Sequence, residues 1–528
     1  MRKLFQNSAS DIPASIVVFL VALPLCLGIA LGSGAPLFSG IIAGMVGGIV
    51  IGLLSGSSLS ISGPAAGLTA IVAVAVGKMP AYEAFLLSVV IAGIIQVILG
   101  YVRAGIIGDY IPNSVILGML ASIGFVLILK QFPHLIGYDK DYSGDETFIQ
   151  LDNNNTFSEI INSLNNVTPF ALLIGVISII LLLVWDRPLL KKNKFFKNLP
   201  GPLVVVVVGI LINVFFSVPG TRFSLNTSQL VNLPIAKDFS SFTSFFIFPK
   251  WEYLGNMDVW TVGLTIALVA SIETLLGIEA VDKLDPLKRR TPANRELKAQ
   301  GVGNIVSGLL GGLPLTSVIV RGSANVEAGA KSKFSAIMHG LLILLSVLFI
   351  PGLLNKIPLS ALAAILIMTG YKLVKPSLFK AMYNKGMDQF IPFIVTLVAI
   401  LFTDLLIGIV IGTIVALFSL INSNFKSAVM VVHDDNKYLV RFRKDISFLN
   451  KPIVKEKLES VPADAYVLID MTRADFIDKD IIDVVNDFLQ HAHLKNILVE
   501  IKKSRFKTGH QLVYDQSTIH KYESTSAH

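Results

Sequence analysis

Charged residues are scarce in this 528-residue chain: they make up 15% of it, against 53% hydrophobic residues, and the mean hydropathy is +0.69. A soluble protein of this length would have too few charges to cover its surface. Cys26 is the single cysteine, which excludes an intrachain disulfide. The sequence also lacks a catalytic nucleophile motif, a metal-ligand cluster and a phosphate-binding loop. We therefore predict an α-helical, multi-pass membrane protein that is not an enzyme and needs no cofactor or metal.

Long apolar runs recur between residues 12 and 422, and a membrane-spanning helix needs about 20 such residues. The runs fit fourteen spans, at residues 12–31, 37–54, 62–77, 84–103, 111–130, 169–185, 201–217, 259–280, 297–311, 316–329, 334–350, 358–372, 389–403 and 405–422. No small-residue cleavage site follows the charged N-terminus, so we expect the first span to be retained rather than removed as a signal peptide.

Lys and Arg are unevenly distributed among the loops, which predicts the orientation of the chain. With the N-terminus inside, two cytoplasmic loops carry Arg187, Lys191, Lys192, Lys194 and Lys197 after span six, and Lys283, Lys288, Arg289, Arg290, Arg295 and Lys298 after span eight. The loop after span five suits the outer face, with Asp139, Asp141, Asp145, Glu146, Asp152 and Glu159 against Lys140. We expect a protein of the cytoplasmic (inner) membrane with both termini in the cytoplasm. The net charge of +8 reflects this bias, and we predict no nucleic-acid partner.

Two segments, 60–67 and 311–317, place Gly, Pro and small polar residues at the start of spans three and ten. Fourteen spans divide into two halves of seven. An odd number inverts the second half, so the two interrupted helices can bring their N-termini together near the bilayer midplane. Each N-terminus carries partial positive charge and unpaired N–H groups, so the pair can bind an anion. The alternative is that both segments are ordinary turns between helices.

Five motifs resemble the sulfate permease (SulP) family of anion transporters in order and spacing: Ser62-Gly63-Pro64, Ser271-Ile272-Glu273-Thr274-Leu275-Leu276, Asn294-Arg295-Glu296-Leu297, Gly311-Gly312-Leu313-Pro314 and Arg321-Gly322-Ser323-Ala324-Asn325-Val326. The resemblance implies a transport domain (1–425) built as a seven-plus-seven inverted repeat. Its core, about 12–103 and 259–350, would move against a gate, about 111–217 and 358–422. The resemblance also implies a homodimer and a cytoplasmic STAS domain.

The predicted anion site combines the two interrupted segments with the residues that follow them: Ser62, Gly63, Pro64, Ala65, Thr316, Ser317, Ile319, Val320 and Arg321. Arg321 is the only basic residue within span ten. It could supply a fixed positive charge to the anion. It could equally pair with Glu273 or Glu327 and order the core, and the two roles are compatible.

Glu273 lies about mid-span in span eight, where an ionised carboxylate is costly. Burial favours the neutral form, which would let Glu273 carry a proton; if ionised, it could hold Na⁺. The resemblance places the coupling acid of the family here. Some bicarbonate-transporting members have Asp at this position and Thr one turn later, whereas this chain has Glu and Gly277, which favours H⁺ over Na⁺. A Glu paired across helices purely for packing is the alternative.

The long apolar runs end at residue 422, and a pattern of short strands and helices follows. The pattern predicts strands at 428–433, 437–442, 465–471 and 496–501, and helices at 452–459 and 478–492, in a small α/β domain over 430–505. The run 467–478 resembles the core strand of a STAS domain. The following turn, 478–481, lacks the phosphorylatable Ser or Thr of the anti-sigma antagonists, which favours a structural or dimer-contact role. We predict a disordered tail over 506–528.

Together these features predict a secondary-active transporter of a small anion that works by alternating access and is coupled to H⁺ or Na⁺ through Glu273. Bicarbonate or sulfate is expected before a dicarboxylate. Two alternatives stay open: an uncoupled anion channel or exchanger, and a nucleobase carrier on the same scaffold. A nucleobase carrier should have acidic residues in both spans eight and ten, where span ten here has Arg321.

Overall fold

Helices occupy each of the fourteen apolar segments of the sequence. They are α1 (Ser8–Gly32), α2 (Leu37–Leu54), α3 (Thr69–Lys78), α4 (Tyr82–Tyr101), α5 (Asn113–Leu135), α6 (Pro169–Trp185), α7 (Gly201–Phe216), α8 (Met257–Leu284), α9 (Ala293–Leu310), α10 (Ile319–Glu327), α11 (Phe334–Phe349), α12 (Leu359–Leu373), α13 (Met387–Phe402) and α14 (Leu405–Lys426). This computed structural model describes residues 6–140, 148, 155–187, 199–216, 223–235, 242–426, 429–504 and 508–514. Several charges behind the predicted orientation lie outside the described residues: Asp141, Asp145, Glu146, Asp152, Lys191, Lys192, Lys194 and Lys197.

The chain divides into two units, Met1–Val415 and Ala416–His528. In the first, six of the described helices are long and apolar enough to cross a membrane, or seven if a short helix, Thr156–Asn165, and α6 form one bent span. α3 and α10 are far shorter, with 10 and 9 residues. Helices of this length cover about half of the hydrocarbon thickness. The extended segment before each of them supplies the rest of its path.

Glycines bring neighbouring helices of this unit into backbone contact. A methyl group on Gly93 of α4 would lie 2.6 Å from the carbonyl oxygen of Gly301 on α9, and the reverse holds for Gly301. Gly124 of α5 and Gly370 of α12 are related in the same way, at 2.7 and 2.6 Å. Small residues at such crossings are typical of helix packing in membranes, where close approach replaces the hydrophobic driving force.

The second unit contains a four-stranded sheet of β3 (Val429–Asp434), β4 (Lys437–Phe442), β5 (Tyr466–Asp470) and β6 (Leu498–Lys502), with α15 (Lys451–Glu459) and α16 (Lys479–Ala492). The strand order is β3-β4-β5-β6; the first pair is antiparallel and the others are parallel. These elements confirm the predicted strands and helices to within two residues. The hairpin turns at Asp435, whose φ of 49° lies in the left-handed region that Asp and Asn tolerate.

The expected disorder from residue 506 onward does not hold for residues 508–514. A short helix, Thr508–Gln511, places His510 in the interior, where Nε2 lies 3.0 Å from the carbonyl oxygen of Ala474. Asn486 of α16 also donates to the carbonyl of Leu512 at 3.2 Å. Disorder was predicted from polar composition, which does not show that a segment can form hydrogen bonds with the rest of the chain. Residues 515–528 lie outside the described part of the chain.

Candidate anion-binding site

The two interrupted segments meet as a pair of short antiparallel strands, β1 (Ser62–Pro64) and β2 (Leu315–Ser317). Ser62 pairs with Ser317 and Pro64 with Leu315, and the N–H of Val318 donates to the carbonyl of Ile61 at 2.9 Å. Each strand leads within a few residues into its helix, α3 or α10. The strands are antiparallel, so the chain leaves them in opposite directions, and residues 65–67 and 318–320, at the starts of the two helices, line one cavity. This arrangement confirms the predicted approach of the two N-termini.

A cavity of about 40 Å³ lies where the two helices begin. Its walls are the start of α3, the start of α10, one carboxylate of α8 and one apolar side chain each from α5 and α14. The lining residues are Ala65, Ala66, Gly67, Ile123, Glu273, Thr316, Ser317, Val318, Ile319, Val320 and Leu405. Such a space holds about three water molecules. It is therefore the size of a small ion.

Six of the ten predicted site residues line this cavity: Ala65, Glu273, Thr316, Ser317, Ile319 and Val320. The other four, Ser62, Gly63, Pro64 and Arg321, are not in its lining. Ser62 instead accepts a hydrogen bond from Nε2 of Gln300 at 2.6 Å. The strands β1 and β2 therefore contribute differently to the cavity, since β2 exposes side chains to it and the cavity reaches only the residues after β1.

Arg321 is fully buried against β1. A methyl group on Gly63 would overlap its Nη1 atom, so the absence of a side chain at Gly63 makes room for the guanidinium. Nη2 lies 3.3 Å from Cys26 Sγ and 3.4 Å from the carbonyl oxygen of Pro64, while Nε and Nη1 have no hydrogen-bond partner. Glu327, one of its two expected ion-pair partners, lies 3.7 Å from Lys375 instead. The charge of Arg321 thus lies beside the interrupted segment, outside the cavity lining.

Glu273 is 4% exposed, and its carboxylate lies against the start of α3. A methyl group on Gly67 would overlap Oε1 of Glu273. One turn further along α8, a methyl group on Gly277 would overlap the carbonyl oxygen of Ser317, because β2 crosses α8 there. The crossing explains the glycine: a Thr at this position would displace β2.

A row of buried polar residues on α9, which the sequence analysis did not identify as functional, holds both interrupted segments. At its N-terminal end, Oε2 of Glu296 accepts a hydrogen bond from Ser55 Oγ at 2.5 Å. Nε2 of Gln300 lies 3.1 Å from Oε1 of Glu296 and also binds Ser62. These bonds fix the segment that leads into β1.

The same row continues to the second segment. The side-chain amide of Asn304 forms two hydrogen bonds with the backbone of Leu315 in β2. Nδ2 of Asn304 donates to the carbonyl of Leu315 at 3.1 Å, and the N–H of Leu315 donates to Oδ1 of Asn304 at 2.6 Å. Ser307 Oγ donates to the carbonyl of Leu313 at 2.7 Å. The signal for this row was the spacing of Glu296, Gln300, Asn304 and Ser307 at intervals of four, four and three residues, which places them on one helix face.

In the described part of the chain, no group of three or more His, Cys, Asp or Glu side chains is arranged to hold a metal ion. The cavity lining offers a ligand the hydroxyls of Thr316 and Ser317 and the carboxyl group of Glu273, at the starts of two helices. Helix N-termini of this kind bind anions, since their N–H groups and dipoles favour negative charge.

Two relatives of known name share much of the sequence. The chain is 25% identical over 425 residues to the bicarbonate transporter BicA of Picosynechococcus sp., which covers 78% of this chain and 70% of BicA. It is also 25% identical over 503 residues to the sodium-independent sulfate anion transporter of Bos taurus, with 92% of this chain and 81% of that protein covered.

The fold is that of a known helical membrane transporter. The structure of the murine Solute Carrier 26 family member A9 anion transporter matches 93% of this chain and 85% of its own, with a TM-score of 0.65 and 16% identity. The model of the sulfate permease family matches residues 9–396. This chain therefore belongs to the sulfate permease family, which consists of membrane transporters rather than enzymes.

Proposed function

We propose that this protein is a secondary-active transporter of a small inorganic anion, bicarbonate or sulfate, and that it works by alternating access. The observation that carries the proposal is the meeting of two oppositely directed helix N-termini and Glu273 around one small cavity. Paired half-length helices of this kind are the substrate sites of secondary transporters built from inverted repeats. The anion binds between α3 and α10, and Glu273 carries the coupled ion.

The lining chemistry supports an anion. Thr316 is 1% exposed, lines the cavity, and its Oγ1 has no hydrogen-bond partner, so its hydroxyl is available to a ligand. The volume of about 40 Å³ favours bicarbonate or sulfate over a dicarboxylate. The names of the two relatives, a bicarbonate transporter and a sulfate transporter, agree with this choice. Arg321 adds positive charge from behind β1.

The fourteen helices α1–α14 form two inverted halves of seven in this proposal. The core of α1–α4 and α8–α11 moves against a gate of α5–α7 and α12–α14. The protein is a homodimer in the cytoplasmic (inner) membrane, with both termini and a STAS domain, residues 430–505, on the cytoplasmic side. The antiparallel pairing of β1 with β2 and the excess of Lys and Arg in alternate loops support this topology.

We propose H⁺ rather than Na⁺ as the coupling ion. Na⁺ would require several oxygen ligands around Glu273, and the position one turn along α8 is Gly277, which has no side-chain oxygen. The crossing of β2 leaves no space for one. A buried carboxylate can instead take up a proton where desolvation favours its neutral form.

Uptake by the purified protein in proteoliposomes tests these proposals. A panel of radiolabelled sulfate, bicarbonate, chloride, a dicarboxylate and a nucleobase, with and without an inward H⁺ or Na⁺ gradient, should show gradient-driven uptake of an inorganic anion. Glu273→Gln should abolish the response to the H⁺ gradient while the protein stays folded. Currents without gradient dependence would indicate a channel, and uptake of the nucleobase alone would reject an anion transporter.

A further inference from the structure

The cavity between α3 and α10 already contains a carboxyl group of the protein itself, that of Glu273. We propose that the ionised Glu273 carboxylate and a transported anion exclude each other from this cavity, so that the anion binds only after Glu273 is protonated. The inference rests on the proposed function and adds to it the reason why proton and anion are coupled. Glu273 then acts as a tethered competitor of the substrate.

The first step is the position of the carboxylate. Oε1 of Glu273 lies so close to Gly67 that a methyl group there would overlap it. Gly67 belongs to the turn that opens α3, and both residues line the same cavity of about 40 Å³. The positive end of α3 therefore faces the Glu273 carboxyl group, and a helix N-terminus stabilises a carboxylate or a bound anion by the same dipole and N–H groups.

The second step is that the cavity has a ligand group not used by Glu273. Thr316 lies on the opposite strand at the start of α10, is 1% exposed, and its Oγ1 has no hydrogen-bond partner. Burying a hydroxyl in this way costs free energy unless a ligand or water completes the hydrogen bond. The cavity thus has a donor for an incoming anion, and its small volume of about 40 Å³ would place that anion close to the Glu273 carboxyl group, where two negative charges repel each other.

The third step is the charge around Glu273 on each neighbouring element. Residues 60–77, which include the turn and nearly all of α3, contain no ionisable side chain. α5 and α14 contribute Ile123 and Leu405 to the cavity, and α4 contributes the neutral Gln96, bound to Ser271 at 3.4 Å.

The helix Ala104–Tyr110 also packs on α8 and carries the exposed Asp109, and α8, α9 and α10 carry further ionisable groups that contact other residues. α10 contributes Arg321, which lies against Gly63 outside the cavity lining. α9 contributes Glu296, which is bonded to Ser55, and on α8 itself Glu279 pairs with Lys283 at 3.2 Å. Glu273 is therefore the group in the cavity lining that can exchange a proton.

The exclusion has a thermodynamic consequence. If one proton must enter for each anion bound, anion affinity rises as the pH falls, by up to tenfold per pH unit over the range in which Glu273 is ionised. By the same linkage, anion binding promotes protonation of Glu273. Neither effect requires a direct contact between the proton and the anion.

Equilibrium binding of radiolabelled sulfate to the full-length protein tests the proposal, since sulfate keeps its double charge between about pH 8 and about pH 4, a range that includes the ordinary Glu pKa of about 4.3. The wild type should bind sulfate more tightly at the lower pH, with up to a tenfold gain per unit. Glu273→Gln should bind sulfate at the higher pH as tightly as the wild type does at the lower, with no pH dependence.

A pair of glycine variants, one in the turn before α3 and one within α3, provides a second measurement that leaves Glu273 in place. Gly67→Ala should force the carboxylate out of its position and flatten the pH dependence of sulfate binding. Gly77→Ala adds the same methyl group within α3, where nothing lies within 4 Å, and should retain the wild-type pH dependence. This pair remains informative if Glu273→Gln fails to fold.

Two outcomes would overturn the exclusion: wild-type sulfate affinity that does not change with pH, or weaker sulfate binding by Glu273→Gln than by the wild type at every pH. If gradient-driven uptake persists in either case, the proposed transport function stands and only the competition is wrong. If the wild type neither binds nor transports any anion of the panel, the proposed function itself fails.

Discussion

The membrane unit, residues 1–415, completely buries more of its described polar side chains than the C-terminal unit, residues 416–528, does. In the membrane unit, Arg321, Gln300 and Asn304 are fully buried, whereas Phe215 and Val410 are 73% and 58% exposed. In the C-terminal unit the interior is formed by apolar side chains such as Val467, Ile469, Ile481 and Val485. The difference teaches how to read burial: among lipids an apolar surface is ordinary, and a buried polar group carries the information.

If buried polar contacts stabilise the membrane unit more than comparable contacts stabilise the C-terminal unit, changes in and around the interrupted segments should have the larger effects. Asn304 belongs to the buried polar row, and Gly277 and Arg321 lie against the interrupted segments.

Asn304→Ala should have the largest effect on stability. Its removal leaves the N–H and carbonyl groups of Leu315 buried without their amide partner, and each such group costs about 1–3 kcal/mol. We expect a loss of about 2–5 kcal/mol in the free energy of unfolding, measured in detergent micelles, and loss of anion binding. Ser178→Ala is the control, because this buried serine of α6 bonds only to Ile174 of its own helix. Equal losses in both variants would show that α9 does not hold β2.

Gly277→Ala should have the next largest effect. The added methyl group overlaps the carbonyl oxygen of Ser317, so β2 must move or α8 must shift. Overpacking of this kind costs about 1–3 kcal/mol. We also expect weaker anion binding, measured by equilibrium binding of sulfate. Gly352→Ala serves as the control because nothing lies within 4 Å of the new methyl group. Wild-type binding by Gly277→Ala would mean that the position of β2 is not critical.

Arg321→Met should weaken sulfate binding by about tenfold or less, equivalent to about 1.4 kcal/mol. A direct charge-assisted hydrogen bond would be worth about 1.5–3 kcal/mol, but the guanidinium lies against Gly63 rather than in the cavity lining. Arg321→Ala should additionally lower the melting temperature, since it leaves a void beside Cys26. Unchanged affinity in Arg321→Met together with lowered stability would reject any role for this charge in binding.

In the C-terminal unit, Asp470→Asn should cost about 1–2 kcal/mol of local stability in β5. Burial alone would raise the pKa of Asp470. Hydrogen bonds from Thr472 and from Arg441 outweigh this effect and hold the pKa below its ordinary value. This contribution is therefore complete above the ordinary Asp pKa of about 4 and is lost as the pH falls through the lower, folded-state value.

Hydrogen exchange of β5 amides in the full-length protein, corrected for its intrinsic pH dependence, measures this effect. The exposed Asp483 on α16 provides the control variant, Asp483→Asn. In the wild type and in Asp483→Asn, the β5 amides should lose protection against exchange in acid. In Asp470→Asn, these amides should be less protected at neutral pH and should lose less protection in acid. Parallel acid curves for all three proteins would show that Asp470 is not the group responsible.

Replacing Asp478, Lys479 and Asp480 together by Ala should have the smallest effect. Asp478 caps α16 by accepting from the N–H of Asp480 at 3.3 Å, and its Oδ2 accepts from the N–H of Phe448 at 3.0 Å. Loss of an N-cap costs about 1 kcal/mol. We expect sulfate turnover in proteoliposomes to change little, because this turn has no phosphorylatable hydroxyl. A large loss of turnover in a folded variant would assign the turn a role in transport.

The fold was predictable from the sequence wherever the apolar residues followed a continuous run or a clear alternation. The apolar runs locate α1–α14, and the alternation in the C-terminal unit locates β3–β6 to within two residues. The run 316–329 was too long as a helix, since α10 begins at Ile319 after a strand. A three-residue strand has no period of its own, so β1 and β2 could be anticipated only as interruptions.

The site was predictable in its location but not in its detail. Glu273 and Thr316 follow from chemistry that is rare within a membrane span, and both line the cavity. The position of Arg321 against Gly63 depends on how β1 packs, which sequence spacing does not encode. The spacing of Asn304 with Glu296, Gln300 and Ser307 places it on one polar face of α9, but its partner, the backbone of Leu315, is determined only by the folded chain.

The single carboxylate of the cavity also determines how membrane voltage acts on transport. If Glu273 and the anion exclude each other, the empty site carries one negative charge, and the site loaded with a proton and a monovalent anion carries one as well. Both crossings then move equal charge, so uptake of bicarbonate is electroneutral. A divalent anion makes the loaded site more negative by one unit, and an inside-negative potential of about 100 mV opposes its entry by about 2.3 kcal/mol. Sulfate uptake should therefore slow as the membrane is hyperpolarised, while bicarbonate uptake should not.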